Sequence, residues 1–110
     1  MATQIAQEEI EIYRNMSYDV VKDLCPSVGV VALPPSALNT AAVAYLSDPT
    51  YFTNGQRAVS IEKEIGGGDD IRKLTVCITW LYHSRLQEKN VVTYITRYGI
   101  NGVKDINTVF

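Results

Sequence analysis

The chain has 110 residues, a net charge of −2, 46% apolar residues and 20% charged residues. This length predicts a single domain over residues 1–110. The weakly acidic, interspersed charge makes nucleic acid an unexpected partner, since nucleic-acid-binding proteins normally present a basic face. No run approaches about 20 consecutive apolar residues, so the sequence predicts no membrane-spanning helix. The acidic, amphipathic start is also unlike a signal peptide.

Residues 2–24 are predicted to form one long amphipathic helix. Its apolar stripe recurs at helical spacing and includes Ile5, Ala6, Ile10, Tyr13, Ser17, Val20, Val21 and Leu24. We assign Ile5, Ile10, Tyr13 and Val20 to the structural core. The opposite side carries Glu8, Glu11 and Lys22, which are the candidates for contact with neighbouring subunits. The pattern begins without a cap, as the lower half of a longer helix would.

Residues 25–57 are predicted to be a variable connection. Proline after Cys25 ends the helix, because the residue before a proline leaves the α region. Residues 28–33 fit either a short strand or a buried extended segment. After the prolines at 34 and 35, a short helix over residues 37–46 is expected, with Ser36 as its cap.

Residues 58–98 are predicted to form an antiparallel meander. The expected elements are a strand at 58–65, a glycine-rich hairpin connection at 66–70, a strand at 71–82, a polar loop at 83–89 and a strand at 90–98. Residues 99–110 fit a loose tail or a short edge strand. Alternation in the second strand places Leu74, Val76, Ile78 and Trp80 on one apolar face.

These elements predict an α+β fold in which the long helix lies across a three- to four-stranded antiparallel sheet. A small sheet needs a cover on its apolar face, and the N-terminal helix is the element long enough to provide it. Trp80 is then expected in the core beneath the helix, near Tyr13 or the valines at 20 and 21.

The sequence offers no constellation for catalysis, and neither a cofactor nor a metal is expected. Glu8, Glu9 and Glu11 form an acidic cluster, which we interpret as a solvated helix face rather than a carboxylate pair in a cleft. Gly66–Asp70 is followed by a strand, whereas a phosphate loop precedes a helix, so a hairpin turn is expected. The single histidine, His83, is expected in a solvent-facing loop.

The sequence also contains basic and aromatic residues that could form a surface for nucleic acid. Its members would be Arg85, Lys89, Arg97, Lys104 and the tyrosines at 82, 94 and 98. Four cations on an acidic chain give a small electrostatic footprint, and tyrosines are common in strands for packing reasons. Nucleic acid is therefore not the expected partner.

The two cysteines, Cys25 and Cys77, allow one intramolecular bridge. Alternation places Cys77 on the sheet face opposite Trp80, away from the helix that ends at Cys25. A bridge would require the 26–57 connection to wrap over that face. Free thiols are therefore favoured over a disulfide.

Two segments resemble the type IV pilin-like proteins, specifically the minor pilins and pseudopilins. Ile5–Val21 resembles the part of these proteins that follows the membrane span, through the matching residues Ala6, Glu9, Ile10, Glu11, Arg14, Tyr18 and Asp19. Ile71–Trp80 resembles their alternating strand that ends in tryptophan. The two blocks cover about a third of the chain, in the family's order.

The resemblance implies a filament subunit that acts by assembly rather than by catalysis. It implies an apolar half-helix upstream of Ala2, preceded by a cleaved leader. The full-length protein would be anchored in the inner membrane and then displayed in a cell-surface filament, while the chain as given is expected to be soluble. Its partners would be other pilin or pseudopilin subunits. The alternative is a small protein-binding or adaptor module, complete as written, that holds a partner through its acidic helix or its tyrosine-rich sheet.

Overall fold

The computed structural model describes residues 1–34, 36, 38–66, 68–97 and, as backbone, 103–108. Three helices and five strands occur in this part of the chain. In chain order they are α1 (Ala2–Arg14), α2 (Tyr18–Leu24), β1 (Gly29–Leu33), α3 (Thr40–Tyr45), β2 (Thr53–Lys63), β3 (Ile71–Tyr82), β4 (Arg85–Thr96) and β5 (Val103–Thr108). The predicted α+β class is therefore confirmed.

The sheet is an antiparallel meander in which each strand pairs with its neighbours in sequence, in the order β1-β2-β3-β4-β5. Register places Ile61 opposite Leu74, and Leu74 opposite Thr93. Odd-numbered side chains of β2 and β4 and even-numbered side chains of β3 therefore line one face of the sheet. Helix α1 lies over that face and contacts β3 and β4. The predicted edge strand within the 99–110 tail corresponds to β5, and the remainder of that tail lies outside the described residues.

The core lies between α1 and this face of the sheet. Its helix side is formed by Ile5, Ala6, Ile10 and Tyr13, and its sheet side by Val59, Ile61, Leu74, Val76, Ile78, Val91 and Ile95. All of these side chains are buried. Burying an aliphatic side chain of this size contributes about 1.5–3 kcal/mol to folding, so this layer is the main source of stability.

The prediction of one long helix over residues 2–24 is wrong, because the helix ends at Arg14 and a second one begins at Tyr18. Asn15 closes α1 in the right-handed region, and Ser17 adopts an extended conformation as the cap of α2. Asparagine and serine compete with the helix backbone for hydrogen bonds and favour such ends. The break rotates the apolar stripe, so Val21 is buried while Val20, predicted as core, is 49% exposed.

Trp80 also differs from the expectation. It is half-buried at the edge of the core and packs edge-to-face on Phe52, with ring centroids 5.5 Å apart. Two contacts show the direction in which the helices run along the sheet. Glu9 of α1 pairs with Arg57 of β2, and Tyr18 of α2 hydrogen-bonds to Asp69 at the β2–β3 hairpin. Trp80 lies beyond this span, towards the beginning of α1 rather than near Tyr13 or Val20.

The connection between β1 and β2 contains α3, which is shorter than predicted and is capped by Asn39 instead of Ser36. The Asn39 Oδ1 accepts a hydrogen bond from the Ala42 amide at 3.1 Å. Of residues 28–33, Gly29–Leu33 form the strand β1 at the edge of the sheet, and they are not a buried segment. Strand β2 begins at Thr53, five residues earlier than predicted, and Ile65 falls outside it, fully in solvent.

The predicted loop at 83–89 is instead a tight hairpin turn between β3 and β4, since Tyr82 already pairs with Arg85. The two turn residues, His83 and Ser84, have φ of 51° and 62°. Positive φ at both positions is the type I′ turn of two-residue hairpins, which normally uses asparagine and glycine.

Replacing the turn by the double variant His83→Asn/Ser84→Gly is therefore expected to raise the free energy of unfolding by about 1–2 kcal/mol, because non-glycine residues are strained in the left-handed region. Urea denaturation measures the change. Ser60→Gly, within β2, is the matched control and should lower stability by about 0.5–1 kcal/mol. A destabilised double variant would contradict the strain at this turn.

Candidate subunit interface

The outward side of α1 consists of polar side chains that the fold leaves in solvent. Gln4, Gln7 and Glu11 are exposed and recur at spacings of three and four residues. We call these three residues the outer stripe. Within the residues that the structure describes, the Glu11 carboxylate contacts only Arg14, at 3.3 Å in an exposed pair. Exposed pairs of this kind contribute at most about 1 kcal/mol, so Glu11 is free to change partners.

Glu8, the second predicted interface residue, is engaged within the domain. Its Oε1 accepts hydrogen bonds from the Thr40 amide and hydroxyl, both at 2.9 Å, and its Oε2 accepts one from the Ala41 amide at 3.2 Å. These amides are at the beginning of α3, where backbone N–H groups lack helical acceptors. Glu8 therefore joins α1 to α3.

Lys22, the third predicted interface residue, lies near the β2–β3 hairpin. The pKa of the Asp69 carboxyl is lowered chiefly by its hydrogen bond from Lys63, and the positive charge of Lys22 lowers it further. The Lys63 Nζ and the Asp69 Oδ1 are 2.5 Å apart. The three predicted interface residues thus occupy three different places, and only Glu11 belongs to the outer stripe.

Tyr18 and Asp19 join α2 to the far end of the sheet. The Tyr18 hydroxyl donates to the Asp69 carbonyl at 2.6 Å, and the Arg97 guanidinium lies over the Tyr18 ring, 5.0 Å from its centroid. Arg97 also contacts Asp19 at 3.5 Å and Asp70 at 2.6 Å. The side-chain hydrogen bond with Asp70 raises the pKa of Arg97, which favours the charged guanidinium.

Glu9 was predicted on a solvated face and is instead fully buried. Its Oε1 accepts from the Arg57 Nη1 at 2.8 Å and from the Asn39 Nδ2 at 2.9 Å. The same Asn39 amide donates to the Ile5 carbonyl at 3.0 Å. The spacing of four residues from Ile5 and to Tyr13 was the signal that Glu9 lies on the inner side of the helix.

Both cysteines are free thiols and lie in different layers. Cys25 is buried at the end of α2, whereas Cys77 lies on the sheet face that α1 does not cover. The Cys77 Sγ donates to the Glu88 Oε1 at 3.2 Å. Burial, and then the hydrogen bond and negative charge of Glu88, raise the pKa of Cys77 to about 12.

This pKa predicts that Cys77 is almost unreactive at pH 8 in the folded protein, since the thiolate is the nucleophile. Brief iodoacetamide labelling followed by peptide mapping measures it, with a sample in urea as reference. Glu88→Gln removes the facing charge and should speed labelling of the folded protein. Equal labelling of Cys77 with and without urea would contradict the assignment.

The same shift has a consequence for stability. The folded protein holds the Cys77 proton more tightly than the unfolded chain does, so the protonated thiol contributes to the free energy of unfolding. This contribution is complete below a pH of about 9, the usual pKa of the thiol, and is lost as the pH rises towards about 12.

An apolar groove lies between the two N-terminal helices, the end of β1 and the segment that follows it. It encloses about 310 Å³ and is lined by Ile12, Tyr13, Met16, Val20, Leu24, Leu33, Pro34, Ser36 and Leu38. Val20 and Leu38 are among the exposed apolar residues of the chain. The sequence did not predict this groove, because it arises from the rotation of α2 relative to α1.

The part of the chain that the structure describes shows neither a metal-binding cluster nor a membrane-spanning helix. That part contains no group of three or more His, Cys, Asp or Glu side chains placed to hold an ion. None of its helices is both long enough and apolar enough to cross a bilayer.

Comparison of the chain with protein-family models, curated proteins and solved structures finds no match.

Proposed function

We propose that this chain is the globular part of a subunit of a type IV pilus or pseudopilus, and that it acts by filament assembly rather than by catalysis. The proposal is supported by the two segments that resemble this family, Ile5–Val21 and Ile71–Trp80. Helix α1 from the first segment packs on β3 from the second. A helix on an antiparallel meander is the arrangement that the resemblance implies, and this packing is the observation that carries the proposal.

In the proposed mechanism, a half-helix upstream of Ala2 anchors the subunit in the inner membrane and later packs in the filament core. The globular part then lies at the filament surface, with the outer stripe of α1 facing neighbouring subunits. Glu11 is its only charged member and is therefore the residue we assign to intersubunit contact. Glu8 holds α3 in place, so its role is within the subunit.

Sequencing of the source DNA upstream of the Ala2 codon tests the proposal most directly. An open frame that encodes a basic leader, a glycine and about 20 apolar residues is expected. An in-frame stop codon directly upstream of a genuine start Met would contradict the filament proposal. The alternative of a small protein-binding module would then be pursued by pull-down with the purified chain.

Charge reversal separates assembly from folding. In the full-length gene, Glu11→Lys is expected to reduce the number of filaments seen by electron microscopy while leaving the thermal unfolding of the purified domain unchanged, because Glu11 is exposed and only weakly paired. Filaments at the normal level in this variant would contradict the assignment of Glu11.

The matched control is Glu8→Gln, which replaces by a neutral amide the carboxylate that accepts hydrogen bonds from the first amides of α3. This variant is expected to lower the free energy of unfolding of the domain by about 1 kcal/mol, as the loss of a helix cap does. Any loss of filaments in Glu8→Gln should therefore follow the loss of stability, whereas the loss in Glu11→Lys should not.

A further inference from the structure

Strand β1 forms one edge of the sheet, and within its five residues it has no charge, proline or bulge to protect that edge. It pairs with β2 on one side only. Its sequence from Gly29 to Leu33 contains no charge and no proline, and its register with β2 runs without a bulge. Proteins normally protect exposed edges with such devices, because unpaired backbone N–H and C=O groups bind other strands.

Several exposed apolar side chains lie on or beside this edge. Val30 is 63% exposed and Val31 is 38% exposed, and Val28 just before the strand is also in solvent. Leu33, at the end of β1, lines the apolar groove together with Val20 and Leu38. The open edge and the groove therefore form one continuous apolar surface, which favours association.

We propose that two copies of this chain pair antiparallel along β1 and join their sheets across a two-fold axis at Val31. In this register Gly29 lies opposite Leu33 of the second copy, and Val30 lies opposite Ala32. Directly opposed residues share a face of the sheet, so every pair in the contact is apolar and no like charges meet.

A second copy matches this edge better than an unrelated strand does. The interface of a two-fold dimer is self-complementary, so the same patch serves on both sides. Pro34 lacks an N–H and ends the strand, which limits pairing to a short segment. The partner that fits is a short, uncharged strand ended in the same way, which is another β1. The net charge of −2 opposes pairing only weakly.

The association is measured by analytical ultracentrifugation of the purified chain over a range of concentrations. We expect a reversible dimer with a dissociation constant in the micromolar range, as suits a small interface. The double variant Val30→Lys/Ala32→Lys should be monomeric, because charges on an edge strand oppose pairing. Ile65→Lys is the matched control, since Ile65 is 88% exposed on the β2–β3 hairpin, and it should dimerise normally.

Two results would overturn the proposal. One is a wild-type chain that stays monomeric at millimolar concentration, and the other is a dimer that persists in Val30→Lys/Ala32→Lys, because another surface would then hold the copies together. These outcomes are independent of the filament proposal, which is tested by the upstream DNA and by filament counts.

Cross-linking tests the register itself. Opposed residues on paired strands have Cβ atoms about 4.5–5.5 Å apart, close to the spacing of a disulfide. Val31→Cys lies on the two-fold axis and should form a covalent dimer on oxidation, whereas Ile65→Cys should not. The wild-type protein controls for its own thiols at Cys25 and Cys77. Failure of Val31→Cys to cross-link would overturn this register.

Discussion

Breaking the Glu9–Arg57 ion pair by Arg57→Met is expected to lower the free energy of unfolding by about 3–5 kcal/mol. Glu9 is fully buried, and its Oε1 lies 2.8 Å from the Arg57 Nη1. Without Arg57, the carboxylate keeps its hydrogen bonds from Asn39 and from the Ser36 amide but loses its only positive partner in the described part of the chain. A buried charge without compensation is far less stable than the same charge in water.

The double variant Glu9→Leu/Arg57→Met shows whether the stability lost in Arg57→Met comes from losing the ion pair itself or from leaving the Glu9 charge unpaired. Because replacement of a whole buried ion pair by apolar residues is often neutral, we expect the double variant to recover most of the stability that Arg57→Met loses. Urea denaturation gives each free energy. The exposed pair supplies the control, since Glu11→Gln/Arg14→Met should change stability by no more than about 1 kcal/mol. A decrease in the free energy of unfolding of less than about 1 kcal/mol in Arg57→Met would contradict the role of Arg57 in compensating the buried Glu9 charge.

The second large effect is expected at Arg72, whose side chain is fully buried at the beginning of β3. Its Nε donates to the Cys25 carbonyl at 2.9 Å, and its Nη1 lies 3.4 Å from the Tyr18 hydroxyl. Cys25 is the C-cap residue of α2. At this end of a helix the carbonyl groups lack helical donors and the helix dipole is negative. Arg72 therefore fixes α2 to the sheet.

Arg72→Ala is expected to lower the free energy of unfolding by about 3–4 kcal/mol, because it leaves a cavity and removes the donor to the Cys25 carbonyl. Arg72→Met keeps most of the volume and should be destabilised by about 1–2 kcal/mol, the cost of the unsatisfied carbonyl. In both variants, hydrogen exchange should increase in α2 more than in α1.

Lys73→Met is the control, because Lys73 is next in sequence but lies on the opposite face of β3 and is only partly buried. It should change stability by less than about 0.5 kcal/mol. Equal exchange in α2 and α1 of Arg72→Met would contradict the role of Arg72 in holding α2.

Local patterns in the sequence predicted those parts of the fold that depend on neighbouring residues. Strand β3 has the predicted bounds of 71–82 because polar and apolar residues alternate through it. The same alternation places Arg72 on the inner face with Leu74, just as helical spacing places Glu9 there. Both positions were readable from the sequence, but charged residues are seldom assigned to a core.

Other features depend on partners that are distant in sequence and were not predictable. Asn39 and Arg57 meet Glu9 from segments about 30 and 48 residues away, and no local pattern indicates such a meeting. The helix break at Asn15 and Ser17 was missed because the apolar stripe keeps helical spacing on both sides of it, from Tyr13 to Val20. The hydrogen bonds of Glu8 to α3 follow from the same long-range packing, so the candidate interface was only partly predictable.

The order of the strands has a consequence for synthesis of the protein. Each strand of the meander pairs with the strand made just before it, so the sheet can grow as the chain leaves the ribosome. Helix α1 precedes the strands in sequence, yet it contacts β3 and β4, which are made much later. The sheet therefore cannot cover the apolar stripe of α1 until β4 emerges, and such exposure favours aggregation.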